Sequence, residues 1–238
     1  MSLRRPIPRQ HARSAAALYN QATVPFFRRK PKLKQEHKIM QQAEQSAGAL
    51  LPEYHRATPE CPHPEHWSMF DSMTAEYEVL EFLRTLVTTV KPDLVVETGS
   101  FLGVSTQWIA EGLERNGFGR VVSCEYDPVV FAKAQEKIAV SPLRSRIELR
   151  NESSLEMEVQ GTIDLLFSDS DMPIREEEVT RFLPQMNPNG IILMHDASSH
   201  LKVVREAALS LERKGLLSVL LLPTPRGLVV AQPKKRQS

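Results

Sequence analysis

From about Ser72 onward, short apolar runs alternate with amphipathic stretches, and a five-residue turn, Pro223–Gly227, separates the last two apolar runs. Such alternation marks a parallel sheet covered by helices on both faces. The turn is too short for a crossover, so Leu217–Leu222 and Leu228–Ala231 must pair antiparallel. The pattern therefore predicts an α/β fold: a doubly wound, mostly parallel seven-stranded sheet with a terminal antiparallel hairpin. Leu94–Val96, Val121–Cys124, Ile147–Leu149, Ile163–Phe167 and Ile191–Met194 are the parallel strands, apolar throughout because both faces are covered. Helical spacing of Tyr77, Leu80, Leu83 and Val87 predicts a helix from about Thr74 to Val90. Further helices are expected over 104–115, 128–140, 176–183 and 201–214.

Composition sets outer bounds. The chain has 238 residues, 41% hydrophobic and 25% charged, with two cysteines, Cys61 and Cys124. These values fit an ordinary globular protein in a reducing compartment. Leu216–Leu222 is the longest apolar run, is broken by Ser218, and falls far short of a bilayer. A cytoplasmic protein without a membrane span is expected.

Charge is unevenly spread. Residues 1–40 hold ten Lys/Arg against Glu36, a local net of +9, which leaves about −8 for the rest of a chain whose total is +1. A solvated extension, a mitochondrial-type targeting peptide and a contact for anionic partners all fit this arm. The chain divides into an extension, residues 1–71, and a domain, residues 72–238. The extension comprises a basic stretch over 1–32, a polar helix over 33–50 and a proline-rich lid segment, His55–Phe70. His55, Cys61, His63, Glu65 and His66 lie close together, but Pro62 and Pro64 stiffen the segment and no zinc-ligand spacing is met.

The chemistry-bearing residues fall at strand ends. In Glu97-Thr98-Gly99-Ser100-Phe101-Leu102-Gly103-Val104-Ser105-Thr106 a strand hands over to a helix. Glycines permit a tight turn there, and a helix N-terminus offers N–H groups to a carboxylate. A carboxylate at Glu97 suits the amino group of an amino-acid-bearing cofactor and would repel a pyrophosphate. Glu125 ends the second strand, where an acid accepts hydrogen bonds from ribose hydroxyls. Gly99 and Gly103 do not make GxGxxG, and a nicotinamide-binding domain would end on a further parallel strand. The fourth and fifth strands end in Ser168-Asp169-Ser170-Asp171 and His195-Asp196-Ala197. Acids and imidazole converging on one edge serve either function or capping.

These motifs, with the closing hairpin, resemble the small-molecule O-methyltransferases related to catechol and caffeoyl-CoA methyltransferases, over roughly Met73 to Pro233. The resemblance implies a Rossmann-like methyltransferase fold, S-adenosyl-L-methionine as cofactor and a small-molecule acceptor. It implies cofactor contacts at Met73, Glu97, Gly99, Ser100, Phe101, Gly103, Ser105, Glu125, Tyr126, Ser153, Ser154 and Asp169. Asp169 and Asp196 match the family's metal-binding acids, so a divalent cation such as Mg is implied as well. Ala197 stands where the family has an asparagine ligand, and Met172 where it has a lysine. His195 is then the expected general base, near neutrality in its unperturbed state, with Asp169 beside the reacting centre. Three alternatives remain: a non-catalytic cofactor-binding protein on this fold, an NAD(P)-dependent oxidoreductase, and an RNA methyltransferase. A net-acidic body with 6% aromatic residues argues against nucleic acid. A homodimer is left open.

Overall fold

The computed structural model describes residues 56–234. The basic stretch over 1–32, the polar helix over 33–50 and His55 lie outside the described residues.

Among the described residues, five α-helices and seven strands position the site. In chain order they are α1 (Tyr77–Val90), β1 (Leu94–Thr98), α2 (Val104–Asn116), β2 (Arg120–Cys124), α3 (Pro128–Ala139), β3 (Ile147–Arg150), β4 (Ile163–Ser168), α4 (Arg175–Phe182), β5 (Met186–His195), α5 (Lys202–Arg213), β6 (Leu217–Leu222) and β7 (Leu228–Pro233). The sheet order is β3-β2-β1-β4-β5-β7-β6. β3 through β5 run parallel, and β7 is antiparallel to both β5 and β6. The expected seven-stranded sheet with its closing hairpin is therefore present. Order reverses between β1 and β4, so a crevice opens beyond their carboxyl ends.

Alternation along the central strands splits the core into two layers. Val95, Val121, Leu165, Phe167 and Leu193 face Val79, Leu80, Leu83, Ile109 and Leu113 of α1 and α2. Val96, Val122, Leu166 and Ile192 face Val179, Phe182, Val204, Ala208 and Leu211 of α4 and α5. Removing one such leucine to alanine would cost roughly 2–5 kcal/mol.

Two boundaries differ from expectation. α1 begins at Tyr77 rather than Thr74, because Asp71 Oδ1 accepts the Met73 and Thr74 amides at 2.8 and 2.7 Å and Glu76 stays extended at ψ 144°. β5 begins at Met186 rather than Ile191, because Met186 pairs with Ile163 across a register shift.

The proline-rich stretch before α1 is tied to the domain. Cys61 and Met69 are buried. Glu60 accepts from Ser199 Oγ at 2.8 Å and from Arg205 at 3.1 Å, which fixes the segment to the loop after β5 and the start of α5. Among the described residues, no helix is long and apolar enough to cross a membrane.

Candidate functional site

A cleft of about 750 Å³ opens where the loops after β1, β2, β4 and β5 meet. Gly99 is the hinge of this arrangement. Its φ is +79°, and a Cβ there would overlap the backbone carbonyl of Asp169. The loops after β1 and β4 can close on each other only because that atom is missing. The Gly99 and Ser100 amides both donate to the Cys124 carbonyl at 3.0 Å, which ties the β1 loop to the end of β2. Phe101, at φ +46°, completes the turn. α2 then starts with no side-chain cap, and Val104 and Ser105 in its first turn line the cleft. Uncapped N–H groups at that end favour a carboxylate.

Glu125 holds the opposite wall. Its Oε2 accepts the Phe101 amide and its Oε1 the Asp127 amide, each at 2.9 Å. Each oxygen keeps acceptor capacity for a ligand hydroxyl.

Of the residues expected at the cofactor, Met73, Gly99, Ser100, Phe101, Ser105, Glu125, Tyr126, Ser153, Ser154 and Asp169 line this cleft, and so does Asp196. Two others do not. Gly103 sits behind the loop in the left-handed conformation, packed against Ile138. Glu97 is fully buried beneath the loop, where its Oε2 accepts from Thr106 and, at 2.5 Å, from Ser123. Burial pushes its pKa up against those hydrogen bonds. Glu97 thus braces the turn as a buried acid, in place of the expected carboxylate facing a ligand's amino group.

His195 requires a larger correction. Its ring is fully buried at the end of β5. Nε2 donates to Glu76 Oε2 at 2.7 Å and Nδ1 to Asp169 Oδ1 at 3.1 Å, with Asp196 Oδ1 3.6 Å away. Burial alone would lower the imidazole pKa, but the surrounding charges of Asp169, Asp196 and Glu76 outweigh it and raise it to about 10. Burial would raise Glu76 in turn, yet His195 and the Arg226 amide bring it down to about 2. An imidazolium bonded through both nitrogens has no lone pair to offer. The role of general base expected for His195 does not fit this geometry.

The expected metal ligands are likewise engaged. One donor atom each from Asp169, His195 and Asp196 lies within 4.8 Å of the others, a spacing that by itself suits a cation. Both Asp196 oxygens, however, accept from Arg226, Nε to Oδ1 at 2.6 Å and Nη2 to Oδ2 at 3.0 Å. Burial would raise the Asp196 pKa, but His195 and Arg226 hold it below the usual carboxylate range. Asp169 Oδ1 accepts from His195 and, at 3.4 Å, from Arg175. A divalent ion here would have to displace a bidentate guanidinium pair and sit against an imidazolium. The donor set does not fit a metal.

Four members of this network escape sequence reasoning. Arg175, fully buried, donates to the carbonyls of Ser168, Ser170 and His195 and so clamps the ends of β4 and β5 together. Glu178 accepts hydroxyls from Thr98, Ser168 and Ser170. Glu178 lies within the helix expected over 176–183 and Arg175 just ahead of it, and nothing in their spacing sets either apart. Glu76 falls within an ordinary helix start, and Arg226 within a turn that reads as solvated. Their common signal would have been the surplus of acids at the sheet edge, which needs nearby cations.

Of the zinc-like cluster, His63 Nδ1 bonds Glu65 at 3.0 Å and its ring stacks on His66 at 5.5 Å, while Cys61 is buried apart. Among the described residues this cluster forms no metal-ligand group.

Comparison with known proteins agrees with this architecture. Residues 96–197 match a methyltransferase domain model. The chain is 30% identical over 132 residues to a catechol O-methyltransferase of Niastella koreensis, covering 53% of this chain and 59% of that relative's length. A methyltransferase of Podospora anserina, solved with SAH, superposes with a TM-score of 0.61 at 19% identity, covering 90% of this chain and 99% of that one. An O-methyltransferase from Bacillus cereus in complex with SAH gives 0.58 at 20% identity, covering 88% and 94%. The fold is the Rossmann-like methyltransferase fold.

Proposed function

We propose that this chain, whose residues 96–197 match a methyltransferase domain model, transfers the methyl group of S-adenosylmethionine to a hydroxyl of a small molecule. The observation that carries this reading is the cleft at the reversal of sheet order. There Gly99, the open start of α2 and Glu125 set carboxylate-binding amides and a hydroxyl-binding acid on facing walls. That donor set fits an amino-acid nucleoside. The N–H groups opening α2 hold the carboxylate of the methionine part. Glu125 accepts from the ribose hydroxyls, and Ser153 and Ser154 flank the adenine. When bound, the sulfonium supplies an already activated methyl group. The chain then aligns the acceptor for in-line displacement and keeps water out. Asp169, at the cleft wall, sets its negative charge beside the cationic sulfur.

The fixed protonation of His195 favours a second reading, a protein that binds the cofactor without transferring its methyl. Isothermal titration with S-adenosylhomocysteine and with NAD tests binding. Transfer of a labelled methyl group to a panel of phenols, catechols and carboxylic acids tests chemistry. Binding of S-adenosylhomocysteine with labelled product supports the first reading, and binding without product on any acceptor selects the second. NAD binding without S-adenosylhomocysteine binding overturns both.

A further inference from the structure

The β6–β7 turn delivers a cation to the cleft. Arg226 lines it beside Thr74, Asp169 and Asp196. Nε and one N–H of Nη2 bind Asp196, and one N–H of Nη1 donates to the Thr74 carbonyl at 3.3 Å. One N–H on Nη1 and one on Nη2 have no partner among the described residues. The backbone holds this geometry from both sides. Asp196 adopts φ +66° at the end of β5. Gly227, at φ +81°, accepts the Ala197 amide at 3.0 Å, and a Cβ on it would overlap the Ser198 backbone. The Arg226 amide itself donates to Glu76 Oε1 at 2.9 Å. An arginine seated by this many contacts is built in place.

We propose that Arg226 is the resident cation of the acceptor site, filling as a side chain the position that a divalent ion would take among Asp169, His195 and Asp196, and that its free N–H groups bind the acceptor oxygen as an anion. Both Asp196 oxygens already accept from Arg226, and Asp169 Oδ1 accepts from His195 and Arg175, so a further cation would have to displace one of these donors. A guanidinium favours the ionised form of a phenol, enol or carboxylic acid beside it, as any fixed positive charge does. The acceptor's proton then goes to solvent before transfer. Its oxygen forms the new bond to the methyl carbon while the carbon–sulfur bond breaks, its electron pair leaving on sulfur. The acceptor part of this proposal rests on the methyltransferase reading, and the cation part does not.

Mn²⁺ binding followed by electron paramagnetic resonance of the free ion, on the full chain without cofactor, provides the test. Wild type is expected to bind no Mn²⁺ through this cluster. Arg226→Met, which keeps the stem but drops the charge, is expected to gain one site, lost again when Asp196→Asn is added. Arg226→Gln, which keeps a donor for Asp196, serves if Arg226→Met does not fold, and thermal melts of each variant report folding. Wild-type Mn²⁺ binding abolished by Asp196→Asn overturns the proposal, as does a folded Arg226→Met or Arg226→Gln that gains no site. With an acceptor that turns over, EDTA should leave the rate unchanged and Arg226→Gln should lower kcat by about a hundredfold. Loss of turnover in EDTA overturns the proposal. Failure of S-adenosylhomocysteine to bind, with the Mn²⁺ results as expected, removes the methyltransferase reading and leaves the cation assignment standing.

Discussion

His195 Nε2 and Glu76 Oε2 lie 2.7 Å apart, both fully buried, and join residues 119 positions apart in the chain. The contact bolts the residue before α1 onto the end of β5. Together with the charges of Asp169 and Asp196, it raises the imidazole pKa to about 10.

Stability should depend on pH accordingly. The folded His195 pKa of about 10 exceeds the ordinary imidazole value of 6.5. Its contribution is therefore complete below pH 6.5 and lost as pH rises through 10. Glu76 shifts the other way, from 4.5 to about 2, so its contribution is complete above pH 4.5 and lost as pH falls through 2. Chemical denaturation across this range should show a broad maximum between these windows. A flat alkaline limb up to pH 10 would contradict the doubly bonded imidazolium.

His195→Ala should act on folding before it acts on chemistry. It strands Glu76 as a buried charge, and breaking such a pair costs on the order of 3–5 kcal/mol. Glu76→Gln should destabilise as well, and a double-mutant cycle with His195→Gln should return a coupling of roughly 0.5–3 kcal/mol. Additive losses in urea titrations would mean that the two side chains do not interact.

Gly99→Ala should impair both the fold and the ligand site. The new Cβ would overlap the Asp169 carbonyl and would sit on a residue at φ +79°. Strain of this kind costs about 1–3 kcal/mol before any loop movement. Titration calorimetry should show S-adenosylhomocysteine affinity falling in parallel with the melting temperature. Unchanged affinity would indicate that the loop after β1 is not at the ligand.

Glu125→Ala should weaken S-adenosylhomocysteine by about 1.5–3 kcal/mol, the value of a hydrogen bond to a charged group. Part of that loss will come from the Phe101 and Asp127 amides that Glu125 now anchors. Glu125→Gln retains acceptor oxygen for one of them and should recover part of the affinity. Equal affinities for all three proteins would remove Glu125 from the ribose site.

The layers of the fold were legible because each strand and helix carries its own apolar period, and no distant residue is needed to read it. Gly99, Glu125 and Asp169 were legible for a similar reason, since strand ends in a parallel sheet converge on one edge, whereas Ser153 and Ser154 came only from the family resemblance. His195 was placed correctly in space and misjudged in charge. Its protonation is set by Asp169 and Asp196 and then by Glu76, a residue that adjacency in sequence cannot connect to it. Glu97 was misjudged likewise, since the direction in which a strand-end side chain points depends on the pleat and on Thr106 and Ser123 closing around it.

The Arg226 amide meets Glu76 across 150 residues, and the Arg226 side chain meets Asp196 across 30. Contacts this far apart in sequence are the slowest to close when a chain folds. As the chain leaves the ribosome, the loops over residues 99–171 can already assemble while the turn that carries Arg226 has yet to be made. During that interval Asp196 stands without its guanidinium partner. A chain truncated before Arg226 should leave Asp196 as a buried charge stripped of that partner and show lower stability in urea titration.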